Sequence, residues 1–275
     1  MLSHYENVDC PVIRLKPKSN PQRIRHGFPW VYDNELVTDR RTKALPPGSL
    51  AILHDHAKNE LGLFAVNPNS KIFGRKLSSD VDTNIDTDWF AKNIYSALAL
   101  RESLFVKPYY RLIHAEADNL PGLIIDRFSD LLVVQPNAAW VDRFLPELIE
   151  ALKNVLAPET IIINGMGRSR VLEGLPESRI AVLGNMPSEP IQVPMNDAIY
   201  FADVAEGQKT GLFYDQRANQ IFVKNLAQDK KVLDVFSHVG GFGLAAMAGG
   251  ASEVTCIDGS QPALDLAMMG AEATN

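Results

Sequence analysis

A chain of 275 residues with 46% hydrophobic and 22% charged residues has the composition of a globular protein with room for two or three cores, which excludes wholesale disorder. No apolar run approaches the roughly 20 residues that cross a bilayer, and the opening Met-Leu-Ser-His-Tyr-Glu lacks the regions of a signal peptide, so a cytoplasmic protein without a membrane partner is expected. The net charge of −6 argues against nucleic-acid binding over the whole surface and leaves room only for a local basic face.

Residues 12–15, 30–32, 50–54, 62–66 and 72–75 are short β-like runs punctuated by Pro46-Pro47-Gly48, Asn59-Glu60 and Asn67-Pro68-Asn69. So many short strands predict a small barrel over 1–77. Between Pro11 and Tyr32 lie Arg14, Lys16, Lys18, Arg23 and Arg25, with His26 and no acid. These five are candidate RNA-binding residues, since clustered cations neutralise phosphates; the alternative is an ordinary solvated face. Trp30 reads as a barrel-core residue, with base stacking as the alternative. Residues 78–88, with four aspartates, read as a polar linker.

A central α+β unit is predicted over 78–194. The spacing of Phe90, Ile94, Ala97, Leu98, Arg101 and Leu104 predicts a helix that stops before Pro108, and 111–115, 123–125 and 131–135 read as strands. One apolar stripe of Val141, Phe144, Leu145, Leu148, Ile149, Leu152 and Val155 predicts a single second helix. Residues 160–164 and 180–183 add strands, and Gly165-Met-Gly167-Arg168-Ser-Arg170 reads as a second basic loop, with a mobile hairpin as the alternative.

Beyond Pro194, 199–203 and 209–214 read as a hairpin around a glycine turn at 205–208. Asp215 is expected to cap a helix carrying Ala218, Ile221, Phe222 and Leu226. Residues 232–236, a helix around 243–247, 253–257 and a helix from Ser260 give β-α-β-α, the opening of a doubly wound sheet over 195–275. The two cysteines, Cys10 and Cys256, fall in different units, so no disulfide framework is expected, and Cys256 in its apolar strand reads as a structural thiol. No Cys/His spacing suggests a metal.

In an open α/β sheet, the loop after one strand and an acid after the next face a common crevice at the carboxyl ends of the strands. Here that loop is Asp234-Val-Phe236-Ser-His238-Val-Gly240-Gly241-Phe242, and the acid is Asp258. No register gives G-x-G-x-x-G, which disfavours a phosphate-cradling dinucleotide loop. S-adenosylmethionine, which carries no phosphate, demands less: an acid in the strand, then small residues at every second position. Asp234, Phe236, His238 and Gly240 stand at those places, only the last as glycine. Asp258 can accept hydrogen bonds from both hydroxyls of a ribose; the alternative is a chance aspartate at a strand end.

Three segments carry a resemblance across nearly the whole chain. They are Arg25-His-Gly-Phe-Pro29-Trp30-Val31-Tyr32, then His114-Ala-Glu116-Ala-Asp118-Asn-Leu-Pro121-Gly122-Leu-Ile-Ile-Asp126-Arg127, and Gly207-Gln-Lys209-Thr210-Gly211-Leu-Phe-Tyr214-Asp215-Gln216-Arg217-Ala-Asn219 with the glycine loop behind it. In this order they resemble the bacterial 23S rRNA cytosine-C5 methyltransferases that carry an amino-terminal PUA domain. The resemblance implies an α/β protein with a PUA-like β-barrel, a central α+β domain and a partial Rossmann-like class I methyltransferase domain. It also implies cofactor contacts from the loop 234–241, a ribose-binding role for Asp258, a pocket wall from Tyr214, Asp215 and Gln216, 23S ribosomal RNA as partner, and a homodimer.

The family's Asp-Pro-Pro-type catalytic loop and its cysteine chemistry are expected beyond Asn275, so no catalytic residue is named, and the chain reads as part of a longer enzyme. Cytosine C5 becomes nucleophilic only after a thiolate adds at C6, and neither Cys10 nor Cys256 is placed for that. The leading expectation is an S-adenosylmethionine-dependent RNA methyltransferase. The alternatives are an RNA-binding protein with a vestigial methyltransferase fold and a nicotinamide-dependent oxidoreductase.

Overall fold

A computed structural model describes residues 10–205, 207 and 211–274. The first unit is a five-stranded sheet of order β1-β3-β4-β5-β2, formed by β1 (Val12–Arg14), β2 (Trp30–Tyr32), β3 (Ser49–His54), β4 (Glu60–Val66) and β5 (Ile72–Ser78). It encloses Ile13, Val31, Leu53, Phe64 and Phe73. Two helices, α1 (Pro21–Arg25) and α2 (Arg40–Lys43), are too short to show a period and went unseen in the sequence.

β4 explains why the first two units are one packed body. Side chains alternate across a strand; Phe64 and Val66 enter the barrel core, whereas Leu63 and Ala65 enter the core of the central unit. A strand buried on both faces must be apolar throughout, as 61–66 is. The stretch 78–88, expected as a linker, sends Ile85 into the same central core.

The central sheet has the order β10-β9-β8-β7-β6. The helix α3 (Thr87–Leu104) precedes β6 (Tyr109–His114), β7 (Leu123–Phe128) and β8 (Leu131–Pro136). The single helix expected next is two, α4 (Ala139–Arg143) and α5 (Leu145–Leu156). The break falls at Phe144, because Pro146 is tolerated only in a first helical turn. β9 (Thr160–Asn164), α6 (Arg168–Leu172) and β10 (Arg179–Leu183) follow. β8 repeats the trick of β4: Leu132 and Val134 face the helices and Val133 faces the opposite layer.

That opposite layer begins with a hairpin of β11 (Ile191–Met195) and β12 (Ala198–Ala202), antiparallel across Asn196 and Asp197 at φ of 56° and 63°. Two left-handed residues are the signature of a type I′ turn. The hairpin expected at 199–214 is therefore corrected: residues 199–202 pair backward, and the boundary expected at 194/195 falls inside β11. Of the expected turn and second strand, 206 and 208–210 lie outside the described residues. Residues 214–216 form a single 3₁₀ turn.

α7 (Arg217–Leu226) leads to β13 (Lys231–Val235), α8 (Gly241–Ala248), β14 (Glu253–Ile257) and α9 (Gln261–Thr274). β13 and β14 run parallel in register from Lys231 opposite Glu253 to Val235 opposite Ile257. They form a two-stranded sheet, with Leu233, Val235 and Ile257 exposed on one face. No helix among the described residues is long and apolar enough to cross a membrane.

Candidate cofactor site

The site is the loop that leaves β13 and turns into α8. Its residues 236, 238 and 240 all have left-handed backbone, at φ of 62°, 49° and 76°. Only Gly240 adopts that conformation at no cost; Phe236 and His238 hold it against the clash of their Cβ atoms with the backbone. Strain of this kind gathers at binding loops, where surrounding structure over-determines it.

Three anchors hold the loop. The Ser237 N–H donates to the Ile257 carbonyl at 3.1 Å, which carries the chain across to the end of β14. The His238 N–H donates to Asp258 Oδ2 at 2.8 Å. Below, the buried Asp234 carboxylate accepts the Gly243 N–H at 2.9 Å. Asp234 thus ties the loop to the amino end of α8, where orphan N–H groups and the helix dipole favour an acceptor. Burial pushes its pKa up, against the pull of the Gly243 and Phe242 N–H groups. α8 lies so close to the sheet that a Cβ on Gly243 would stand 2.5 Å from the Cys256 sulfur, which accounts for the thiol as packing; burial raises the Cys256 pKa as well.

Asp258 is held ionised. Hydrogen bonds from the His238 N–H and from the Ser260 N–H, the latter to Oδ1 at 2.9 Å, keep its pKa below the usual carboxylate range. A carboxylate has about four acceptor positions, so both oxygens retain capacity for further donors. Beside it, Gly259 leaves open space where a side chain would be, and Phe236 is 88% exposed. The acceptor therefore fits the hydroxyls of a ribose: an ionised acid, half-exposed, at the mouth of a strained loop.

Asp234, Phe236, His238, Gly240, Gly241 and Asp258 are thus brought together, while Tyr214, Asp215 and Gln216 make no hydrogen bond to them among the described residues. Their neighbour Phe213 reaches the loop, its ring edge-on to His238 with centroids 5.0 Å apart, and Tyr214 shares a buried core with Val239 of the loop. Tyr214 is buried; its hydroxyl donates to the Arg127 carbonyl at 3.1 Å and its ring packs against Phe128. Asp215 accepts from Gln216 Nε2 rather than capping α7. Tyr214 and Asp215 line a different cleft, of about 620 Å³, with Phe105, Asn196, Arg217 and Ile221. Two supports went unnoticed in the sequence. The Tyr200 hydroxyl donates to the Gly241 carbonyl at 3.3 Å, and the buried Gln220 lies against Gly241 from below.

The basic residues also divide. Arg25 pairs with Asp55 at 2.8 Å, Arg23 pairs with Glu35 at 3.1 Å and stacks on Phe28, and Lys16 donates to the Asn34 carbonyl. Arg14 and Lys18 are exposed. Val37 hydrogen-bonds to Arg14, which brings the exposed Arg40, Arg41 and Lys43 of α2 near the same ridge. Their clustering in the sequence was the available signal. The second basic loop is corrected: Arg170 is buried and bonded to Asp142 and to the carbonyls of Pro136 and Pro176.

A barrel, a central sheet and a parallel β-α-β-α unit with an acid facing its glycine loop make up the framework of a nucleoside-cofactor domain. The chain belongs to the S-adenosylmethionine-dependent methyltransferase family, which it matches over residues 118–268, and it carries a PUA-like domain over residues 13–79. The ribosomal RNA large subunit methyltransferase of Deinococcus radiodurans is 34% identical over 268 residues. The ribosomal RNA large subunit methyltransferase I of Vibrio cholerae is 35% identical over 259 residues. Each alignment covers 93% of this chain and 64% of the relative, so the chain spans rather less than two thirds of their length. The fold is that of a candidate SAM-dependent methyltransferase from Streptococcus mutans, with a TM-score of 0.80 at 19% identity over 96% of this chain and 67% of that one. A candidate methyltransferase solved with S-adenosylhomocysteine gives the same TM-score of 0.80 at 20% identity, over 97% of this chain and 67% of that one.

Proposed function

We propose that the chain carries the RNA-binding and cofactor-binding parts of a methyltransferase that acts in the cytoplasm on 23S ribosomal RNA, at C5 of a cytosine. The observation that carries this reading is the ionised Asp258 set against the strained loop at the carboxyl ends of β13 and β14. The names of the relatives in Deinococcus radiodurans and Vibrio cholerae support the substrate.

In this reading Asp258 accepts the ribose hydroxyls of S-adenosylmethionine, the backbone of 236–241 lies along the cofactor, and Asp234 keeps that backbone in place. The cofactor when bound supplies an electrophilic methyl group on a sulfonium. The chain's own contribution is to orient the cofactor and to present RNA through the exposed Arg14, Lys16 and Lys18 of the barrel face, which Arg23 and Arg25 hold together through Glu35 and Asp55. Tyr214, Asp215 and Gln216 support the wall behind Phe213. The resemblance also implies a homodimer, which sedimentation velocity reads directly.

The test is calorimetry of the chain with S-adenosylhomocysteine and with NADH, together with anisotropy of a labelled 23S rRNA fragment. Binding of the first and of the RNA is expected; preference for NADH, or the absence of RNA binding, contradicts the reading.

A further inference from the structure

A cleft of about 460 Å³ opens where the barrel meets the central unit, lined by Gly27, Pro29, Lys76 and Ser79 from the one and by Glu116 and Asn119 from the other. Lys76 is half-buried there. Its ammonium has one hydrogen bond among the described residues, to the Ile24 carbonyl at 3.5 Å, the outer limit of such a bond. The acid in the cleft does not neutralise it. Glu116 accepts the Trp30 Nε1–H at 2.8 Å and faces Arg75 at 3.6 Å.

A half-buried ammonium without a counter-ion costs the fold stability, and burial accordingly lowers the Lys76 pKa. Around it stand the exposed donors Ser79 and Asn119. Gly27, at φ of 95°, leaves open space where a side chain would be. A cation and neutral donors, with the one acid already paired, make a site for an anion.

We propose that this cleft is a phosphate subsite for RNA, in which Lys76 takes one phosphodiester of a strand passing between the barrel and the central unit. It rests on the reading of the chain as an RNA-binding protein.

The test compares the 275-residue chain with its Lys76→Met variant, which keeps the length of the side chain and removes the charge. Binding of a labelled 23S rRNA fragment is followed across a range of KCl concentrations. The variant should bind about tenfold more weakly at low salt, with a salt slope smaller by about 0.7 to 0.9. Its Tm should not fall, and its affinity for S-adenosylhomocysteine should be unchanged. Equal RNA affinity and slope in the two proteins would overturn the subsite while leaving the RNA reading intact, and a lowered Tm with unaltered RNA binding would reduce Lys76 to a support of α1. Failure of the unmodified chain to bind the fragment removes the RNA reading and the subsite together. Inorganic phosphate should compete no better than chloride at equal ionic strength; stronger competition that depends on Lys76 would reassign the cleft to free phosphate and overturn the proposal.

Discussion

The Asp258 carboxylate accepts the main-chain N–H of His238 at 2.8 Å, so the acid at the end of β14 and the strained turn after β13 are one hydrogen-bonded unit. Each fixes the other before any cofactor arrives, and the two hydrogen bonds that hold Asp258 also keep it ionised.

Asp258→Ala should therefore weaken S-adenosylhomocysteine binding by about tenfold or more, as expected for hydrogen bonds to a charged group; an equal affinity in calorimetry would remove Asp258 from the site. The folded pKa lies below the unfolded value of about 3.9. Its contribution is thus fully present above about pH 4 and is lost as pH falls through the folded value. Affinity should be level from neutral pH down to about 4 and then decline.

Phe236→Gly should stabilise the chain. The wild-type side chain is 88% exposed and its φ is 62°, so glycine relieves about 1–2 kcal/mol of left-handed strain. The extra freedom of the unfolded chain takes back about 0.5–1 kcal/mol. Urea unfolding should show a small net gain, whereas a loss would mean that the Phe236 ring holds something in place.

Asp234 separates its acceptor role from its charge. Burial raises its pKa, so the fold disfavours the ionised form, and that penalty sets in as pH rises above the unfolded value of about 3.9. Asp234→Asn keeps an acceptor for the Gly243 N–H and should be neutral or stabilising at pH 7. Asp234→Ala leaves the end of α8 unsatisfied and should lose about 1 kcal/mol. Thermal melts at pH 5 and pH 7 read both, and a larger loss in the asparagine variant would refute the separation.

Arg25 and Arg14 should behave differently although both lie in the basic run. The Asn59 side chain, the Asn59 and Ala57 N–H groups and the Arg25 guanidinium hold Asp55 well below the usual carboxylate range. That contribution exists above about pH 4 and vanishes in acid, so Arg25→Ala should move the acid-unfolding midpoint upward. Arg14→Ala with Lys18→Ala should leave acid unfolding alone and flatten the salt dependence of RNA binding. Acid titrations followed by circular dichroism decide the first claim; identical midpoints would sink it.

Most strands were legible because their residues carry the period-two or fully apolar patterns of sheets, and 253–257 appeared in the structure with the expected bounds. What escaped was information that sequence does not hold locally. Asn196-Asp197 lacks the glycine that announces a tight hairpin, whereas Gly207 offers one downstream, so the sequence pairs β12 forward instead of back. Arg25 and Arg170 looked available because their partners Asp55 and Asp142 lie 30 and 28 residues away. The left-handed φ at Phe236 and His238 had no trace at all, since neither residue type asks for it. Tyr200 and Gln220 belong to the site only through the backbone they support.

Trp30 reaches Glu116 through its indole N–H, Arg75 and Asn67 both bond to Glu173, and Tyr214 bonds to the carbonyl of Arg127. Barrel and central sheet are consequently bonded to each other, and the segment that leads into α7 is bonded to the central sheet. Such packing works as a ruler. In the proposed reading, the distance from the basic face of the barrel to the loop beside Asp258 is built into this packing, and the nucleotide that receives the methyl group is the one that this span delivers.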